Sequence, residues 1–265
     1  MSGRAGTAPV RRRGPIAGVN PVAKLGAALL IAIPLVLTID WVSAAVALAL
    51  ESVLFLFSGL TWPEFWRRTW PVWLAAPLTG VTIALYGAPS GEVYLEWWLV
   101  RVSEGSLSLA VATFFRVLAI ALPAVVLFVT VDATDLADGL AQIVHLPSRF
   151  VLGALAAMRL AALLRDDWAA LALARRARGV ADAGRLRRIL GMAFGLFVLS
   201  IRRGSKLATS MEARGFGGPS ERTWARDSPF GWREWALMGV GLAISLTAVA
   251  AAVAAGTWNL ILGPR

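Results

Sequence analysis

The stretch LSLAVATFFRVLAIALPAVVLFVTV, residues 107–131, decides the fold class of this chain. It carries one charged side chain, Arg116, and it shows no alternation between apolar and polar residues. At about 1.5 Å per residue, an α-helix of this length crosses the roughly 30 Å hydrocarbon core of a bilayer. A membrane β-strand would alternate with a period of two residues, so the stretch predicts a transmembrane helix.

Other apolar runs extend this interpretation to the whole chain. Hydrophobic residues make up 58% of its 265 residues, a share typical of a helical membrane protein rather than a soluble domain. We therefore predict an all-α polytopic membrane protein with about five transmembrane helices and a helical cytoplasmic or interfacial domain. The five predicted spans are residues 22–39, 41–59, 71–88, 107–131 and 234–256.

Two segments between these runs have mixed compositions. The stretch TWPEFWRRTWPVW, residues 61–73, predicts a basic loop beside an interfacial belt of tryptophans. The stretch SGEVYLEWWLVRVSEGS, residues 90–106, combines glutamates with adjacent tryptophans and predicts a short interfacial helix. Residues 1–19 are rich in arginine and glycine, and we expect a disordered basic cytoplasmic tail there.

The charge distribution predicts the orientation in the membrane. Residues 132–233 hold 16 Lys and Arg against 9 Asp and Glu. By the positive-inside rule, this segment and the N-terminus are cytoplasmic and the C-terminus is outside. The net charge of +10 is explained in the same way, so no nucleic-acid partner is predicted. The predicted domains are residues 1–19, 20–131, 132–233 and 234–265.

The chain offers few groups for catalysis. It has no cysteine and one histidine, His145, which lies just before Pro147 in a predicted loop. Asp166 and Asp167 are adjacent, so on a helix they point in different directions and suit a solvated face. No zinc-protease or nucleotide-binding motif is present. We predict no catalytic residue and no metal site.

Two charged residues fall inside predicted spans. Glu51 and Arg116 each lie about ten residues from the outer end of a span, or roughly 15 Å deep. Because an isolated charge in a bilayer is costly, we predict that they form a buried pair that sets the helix register. The alternative is that each side chain reaches a water-filled crevice separately.

The basic block from about Asp166 to Arg226 contains the triplet Ala-Arg-Gly twice, 36 residues apart. Each triplet follows a predicted helix, and its glycine can end that helix in a left-handed C-cap. Arginine presents a planar, permanently charged fork that binds carboxylates through two hydrogen bonds. Two such arginines suit a partner with two equivalent acidic grooves. The alternative is that both arginines lie among lipid headgroups. The triplets are Ala177, Arg178 and Gly179, and Ala213, Arg214 and Gly215.

The region from about residue 130 to residue 222 resembles the transmembrane (T) component of energy-coupling factor (ECF) transporters, the EcfT/CbiQ-like family. The resemblance rests on TVDATDLADGL, HLPSRF and SIRRGSKLATSMEARGFGG, on both triplets in order, and on NPVAKLG near the start. Members of that family belong to importers of vitamins or transition metals that are powered by ABC-type ATPases.

The resemblance implies a coupling subunit without catalytic activity of its own. In that family the two triplets dock into grooves on two ABC-type ATPase subunits, so Arg178 and Arg214 inherit this role, although Arg175 and Arg176 add charge beside the first. A small membrane substrate-binding (S) component rests on the same coupling helices, and apolar residues between Leu186 and Phe197 are candidates for exposed contact surface. The partner ATPases bind ATP and Mg²⁺, so no cofactor of this chain is expected.

These expectations place the protein in a bacterial or archaeal plasma membrane, with the lipid bilayer among its partners. Two other functions stay open at this point. A polytopic enzyme acting on phosphate-bearing lipid would need clustered aspartates to bind Mg²⁺, and the sequence lacks them. A permease of a conventional ABC importer would form its own substrate path.

Overall fold

The computed structural model describes residues 14–87, 90–97, 100–179, 184–218 and 223–259. Within these ranges the chain forms α-helices and a single two-stranded hairpin. It divides into a first unit, Met1–Leu136 with Ser228–Arg265, and a second unit, Ala137–Asp227. The elements are α1 Pro21–Leu37, α2 Trp41–Leu56, α3 Trp62–Tyr86, β1 Val93–Trp97, β2 Val100–Ser103, α4 Glu104–Phe128, α5 Ala133–Gln142, α6 Ser148–Ala177, α7 Arg185–Ala213 and α8 Trp232–Ala254.

The first unit is a helical bundle in which α4 packs on α1, α2 and α3, while α8 packs on α1 and α2. Its core combines large side chains with alanines, which let helices approach closely inside a membrane. Helices α4 and α8 are long and apolar enough to span a bilayer, and α1 and α2 are shorter apolar helices. The prediction of an all-α membrane protein is confirmed.

Apolar side chains also cover the outside of this bundle at helical spacing. Three helices each carry a row of exposed apolar residues three, four or seven positions apart, as expected for faces that meet lipid tails. The rows are Leu29, Ile33 and Val36 on α1, Leu74, Leu78 and Val81 on α3, and Leu242, Leu246 and Val253 on α8.

Helices α1 and α8 approach each other closely at Gly241. A Cβ atom at this position would lie 3.0 Å from the carbonyl oxygen of Ala27 and 3.1 Å from its Cα atom. Glycine at this position therefore favours close packing of α8 against the backbone of α1.

The end of the predicted N-terminal tail is packed rather than disordered. Ile16 and Val19 are buried against Leu127 and Leu237, and Lys24 adds a polar anchor beneath them. The Lys24 ammonium donates to the carbonyl of Ala17 at 3.2 Å and to the Thr130 hydroxyl at 2.7 Å. The prediction of disorder is therefore wrong for residues 14–19, because these apolar side chains have a core to join. Residues 1–13 lie outside the described part of the chain.

The predicted basic loop at residues 61–73 is the first half of α3. Pro63 occupies the first turn, where its missing N–H costs nothing, and Glu64 lies 3.7 Å from Arg68 one turn later. Tryptophans at helical spacing line one side, and the rings of Trp62 and Trp66 meet edge to face, with centroids 5.7 Å apart. The loop prediction overlooked this period of four residues.

The predicted interfacial helix at residues 90–106 is instead the antiparallel hairpin of β1 and β2. Leu95 pairs with Val102, and Trp97 pairs with Val100. The segment is rich in β-branched and aromatic residues, which favour strands over helices. The helix prediction weighed the amphipathic composition and neglected this preference.

Glu51 and Arg116 do not form the predicted pair. Arg116 donates instead to the backbone carbonyl of Thr38, the residue that caps the end of α1. Glu51 lies on the buried face of α2, and neither of its carboxylate oxygens has a hydrogen-bond partner among the described residues. The prediction assumed that α2 and α4 begin at the same depth. Arg116 is near the turn between α1 and α2, so α4 extends well beyond that turn.

Replacing Glu51 with methionine should stabilise the bundle. A buried polar group without a partner costs about 1–3 kcal/mol, and methionine keeps the length of the side chain while removing the polar atoms. We expect the midpoint of thermal unfolding in detergent to rise by a few degrees. Glu51→Gln keeps a polar end, so its unfolding midpoint should rise less. A lower midpoint in Glu51→Met would show that the carboxyl group has a stabilising role.

The second unit contains most of α5 together with α6 and α7. Ala137 and Ala141 of α5 pack against Val151 and Leu155 at the start of α6, with Trp224 beside them. Pro147 is the N-cap of α6. His145 lies in the preceding loop, exposed and with φ of 58°, and the described residues contain no cluster that could hold a metal ion.

Candidate docking site

The first Ala-Arg-Gly triplet forms the end of α6. Ala177 is the last helical residue, Arg178 is the C-cap, and Gly179 has φ of 70°, in the left-handed region that favours glycine. The Gly179 amide donates to the carbonyl of Arg176 at 3.0 Å, which closes the helix. The glycine thus ends the helix immediately after the arginine.

The second triplet forms the end of α7 in the same way. Ala213 is the last helical residue, Arg214 is the C-cap, and Gly215 has φ of 77°. The Gly215 amide donates to the carbonyl of Glu212 at 2.9 Å, and the Phe216 amide donates to that of Met211 at 3.0 Å. These two bonds define a Schellman motif, so the predicted left-handed C-caps are confirmed at both triplets.

Both triplets present their arginines to the surroundings. All six residues are exposed, and no described residue forms an ion pair with Arg178 or Arg214. An unpaired guanidinium at a helix end can form a bidentate bond with a carboxylate of another protein. The alanine before each arginine adds little bulk, so a partner surface could approach the helix closely.

Helices α6 and α7 contact each other in an antiparallel arrangement. Asp167 and Arg203 form a two-pronged ion pair, with the Nη2–Oδ1 bond at 3.0 Å. Towards the connecting loop, Leu171 packs near Gly195, and the Arg175 guanidinium lies against Gly191. The two helices thus form a hairpin that carries one triplet at the end of each helix.

The arginines next to the first triplet differ in their contacts. Arg175 is half-buried and donates to the carbonyl of Arg188 at 3.3 Å, so it is engaged within the hairpin. Arg176 is exposed but lines a cavity of about 230 Å³ with Trp168 and Met192. Arg178 lies beyond the helix and outside that cavity, which favours it as the residue that reaches a partner.

The chain matches the model of a known family, CbiQ, described as cobalt transport protein, over residues 13–224. This match covers most of the chain and contains both triplets. The chain belongs to the CbiQ-like family of ECF transporter T components.

Proteins named energy-coupling factor transporter transmembrane protein EcfT are similar along most of their length. The one from Brevibacillus brevis is 26% identical over 227 residues, which cover 81% of this chain and 85% of the relative. The one from Listeria innocua is 27% identical over 218 residues, which cover 77% of this chain and 82% of the relative. The expected resemblance is confirmed, and the chain is a transport protein of the membrane.

This T component also exposes an apolar surface, which we call the α7 stripe: Leu186, Leu190, Phe194, Phe197 and Ile201. Its members are 52–71% exposed and recur every three or four residues, so they share one face of α7. That face lies opposite Arg188, Gly191 and Gly195, the positions of α7 that meet α6. The sequence pointed to apolar residues between Leu186 and Phe197, and the exposed row extends one turn further.

Proposed function

We propose that this T component couples ATP hydrolysis by two ABC-type ATPase subunits to substrate release from a small membrane S component. The observation that carries the proposal is the pair of equivalent helix ends, each with an exposed arginine held between the last helical alanine and a left-handed glycine. Two equivalent arginines match two equivalent acidic grooves better than one shared site. The imported substrate would be a vitamin or a transition-metal ion.

The α7 stripe supports a second partner on the same hairpin. Large apolar side chains in a row favour a protein or lipid surface over water. The S component is a membrane protein, so it could offer the apolar surface that the stripe lacks within the described chain. In this arrangement the ATPases would bind the ends of the hairpin while the S component covers its apolar side.

The mechanism follows from this division of surfaces. When ATP draws the two ATPases together, the two bound helix ends must move with them. Because α6 and α7 contact each other along several turns, movement at their ends changes the surface that the stripe presents. The chain itself then supplies binding and force transfer, and the ATPases supply the chemistry.

The test is to purify the full chain from its native membrane with its bound partners. We expect ABC-type ATPase subunits and a small apolar membrane protein in the eluate, identified by mass spectrometry. A Phe194→Ser, Phe197→Ser variant should retain the ATPases and lose most of the small membrane protein, because two large apolar contacts are removed.

Phe150→Ser is the matched control for this experiment. Phe150 is also an exposed phenylalanine, but it lies in the first turn of α6, away from the stripe. Its replacement should leave both classes of partner in place. An eluate of the parent chain without ATPases would contradict the proposed function, and equal loss of all partners in the stripe variant would contradict the division of surfaces.

A further inference from the structure

We propose that Asp167 and Arg203 are positioning residues that set the distance between the two docking arginines. This inference rests on the proposed function for its biological meaning. It identifies residues that neither triplet contains and that would not touch a partner themselves.

The ion pair lies at matching positions along the two helices. Asp167 precedes Arg178 by eleven residues, and Arg203 precedes Arg214 by eleven residues. At 1.5 Å per residue, each docking arginine is therefore about 16 Å along its own helix from the same contact. We call residues 167–178 of α6 and residues 203–214 of α7 the two arms. Because the helices are antiparallel, the two arms extend from the ion pair in opposite directions. The ion pair is thus the midpoint between the two ends.

Further contacts between α6 and α7 lie on the loop side of the ion pair. Towards the loop, the contacts continue through Leu171 with Gly195 and Arg175 with Arg188. Of these contacts, the ion pair is the one farthest from the connecting loop. The ion pair therefore joins α7 to α6 on the side from which α7 continues to Arg214.

The contact between Asp167 and Arg203 is a two-pronged ion pair. Both oxygens of Asp167 meet both terminal nitrogens of Arg203, so the bond restricts direction as well as distance. The two side chains are 18% and 35% exposed, which protects the pair from full screening by water and salt. A single-point contact would allow the arms to pivot, whereas this two-pronged contact resists rotation.

The absence of cysteine from the sequence allows a direct measurement. Ala174 and Ser210 are exposed, lie four residues before Arg178 and Arg214, and can be replaced by cysteine and spin-labelled. The full chain in lipid nanodiscs, without ATPases, should give one narrow distance distribution by pulsed electron spin resonance. Asp167→Ala and Arg203→Ala should broaden or shift it, while the exchanged pair Asp167→Arg with Arg203→Asp should restore it.

Neighbouring charges provide matched controls. Asp166→Ala and Arg202→Ala remove the adjacent exposed charges and should leave the distribution as in the parent. In co-purification with the ATPases, we expect Asp167→Ala to lower recovery about tenfold relative to Asp166→Ala, and the exchanged pair to recover most of it.

An unchanged distribution in both single variants, or an exchanged pair that stays broad, would overturn the inference. Because the distance is measured without ATPases, that result leaves the proposed function standing. Conversely, a distance effect combined with no ATPase binding by the parent chain would contradict the proposed function and keep the positioning role.

Discussion

The double variant Arg178→Ala, Arg214→Ala should lose its ATPase subunits on purification and should no longer support uptake. Removing one partner of a buried interfacial charge pair typically costs about 2–5 kcal/mol, which lowers affinity by more than tenfold for each arginine. Each single variant should therefore weaken the complex, and the double variant should abolish it. The measurements are ATPase recovery per mole of T component and substrate uptake by cells.

Exposed arginines outside the triplets serve as controls for net charge. Arg176→Ala and Arg202→Ala each remove the same charge from the same two helices and should retain the ATPases. Arg178→Lys and Arg214→Lys should give an ATPase recovery between those of the parent and the alanine variants, because lysine keeps the charge and loses the two-pronged geometry. Unchanged recovery and uptake in the double alanine variant would remove the triplets from the docking role.

Gly241→Leu should separate α1 from α8 and strongly destabilise the bundle. A single Cβ atom there already approaches the Ala27 backbone to 3.0 Å, so a leucine side chain has no space without moving one helix. Overpacking of this kind typically costs about 1–3 kcal/mol or more. We expect lower yield and a lower midpoint of thermal unfolding in detergent, with Gly241→Ala intermediate.

Gly239 offers a matched control on the same helix. It is exposed, and a Cβ atom at this position would meet nothing within 4 Å. Gly239→Leu should therefore unfold at the same temperature as the parent, or slightly above it, because leucine favours the helix more than glycine does. If Gly239→Leu and Gly241→Leu lowered the unfolding midpoint equally, the close approach at Gly241 would not be what limits stability.

Local sequence determined those features that depend on neighbouring residues alone. The apolar run at residues 107–131 predicts a membrane helix, and α4 forms there. Each Ala-Arg-Gly triplet predicts a helix end with a left-handed glycine, and both glycines adopt that conformation. These predictions are confirmed because helix length and capping are set by interactions within a few residues.

Tertiary structure decided which distant residues meet. Glu51 and Arg116 have suitable charges and similar predicted depths, yet Arg116 bonds to Thr38, because the offset between helices is set by packing across the whole bundle. The partner of Asp167 could not be chosen by sequence either, since many arginines in the block have compatible charge. Packing selects Arg203 because the antiparallel contact of α6 and α7 brings that one position within hydrogen-bond distance. Sequence alone thus determined the two capped helix ends, and only the tertiary structure determined which residues join the helices that carry them.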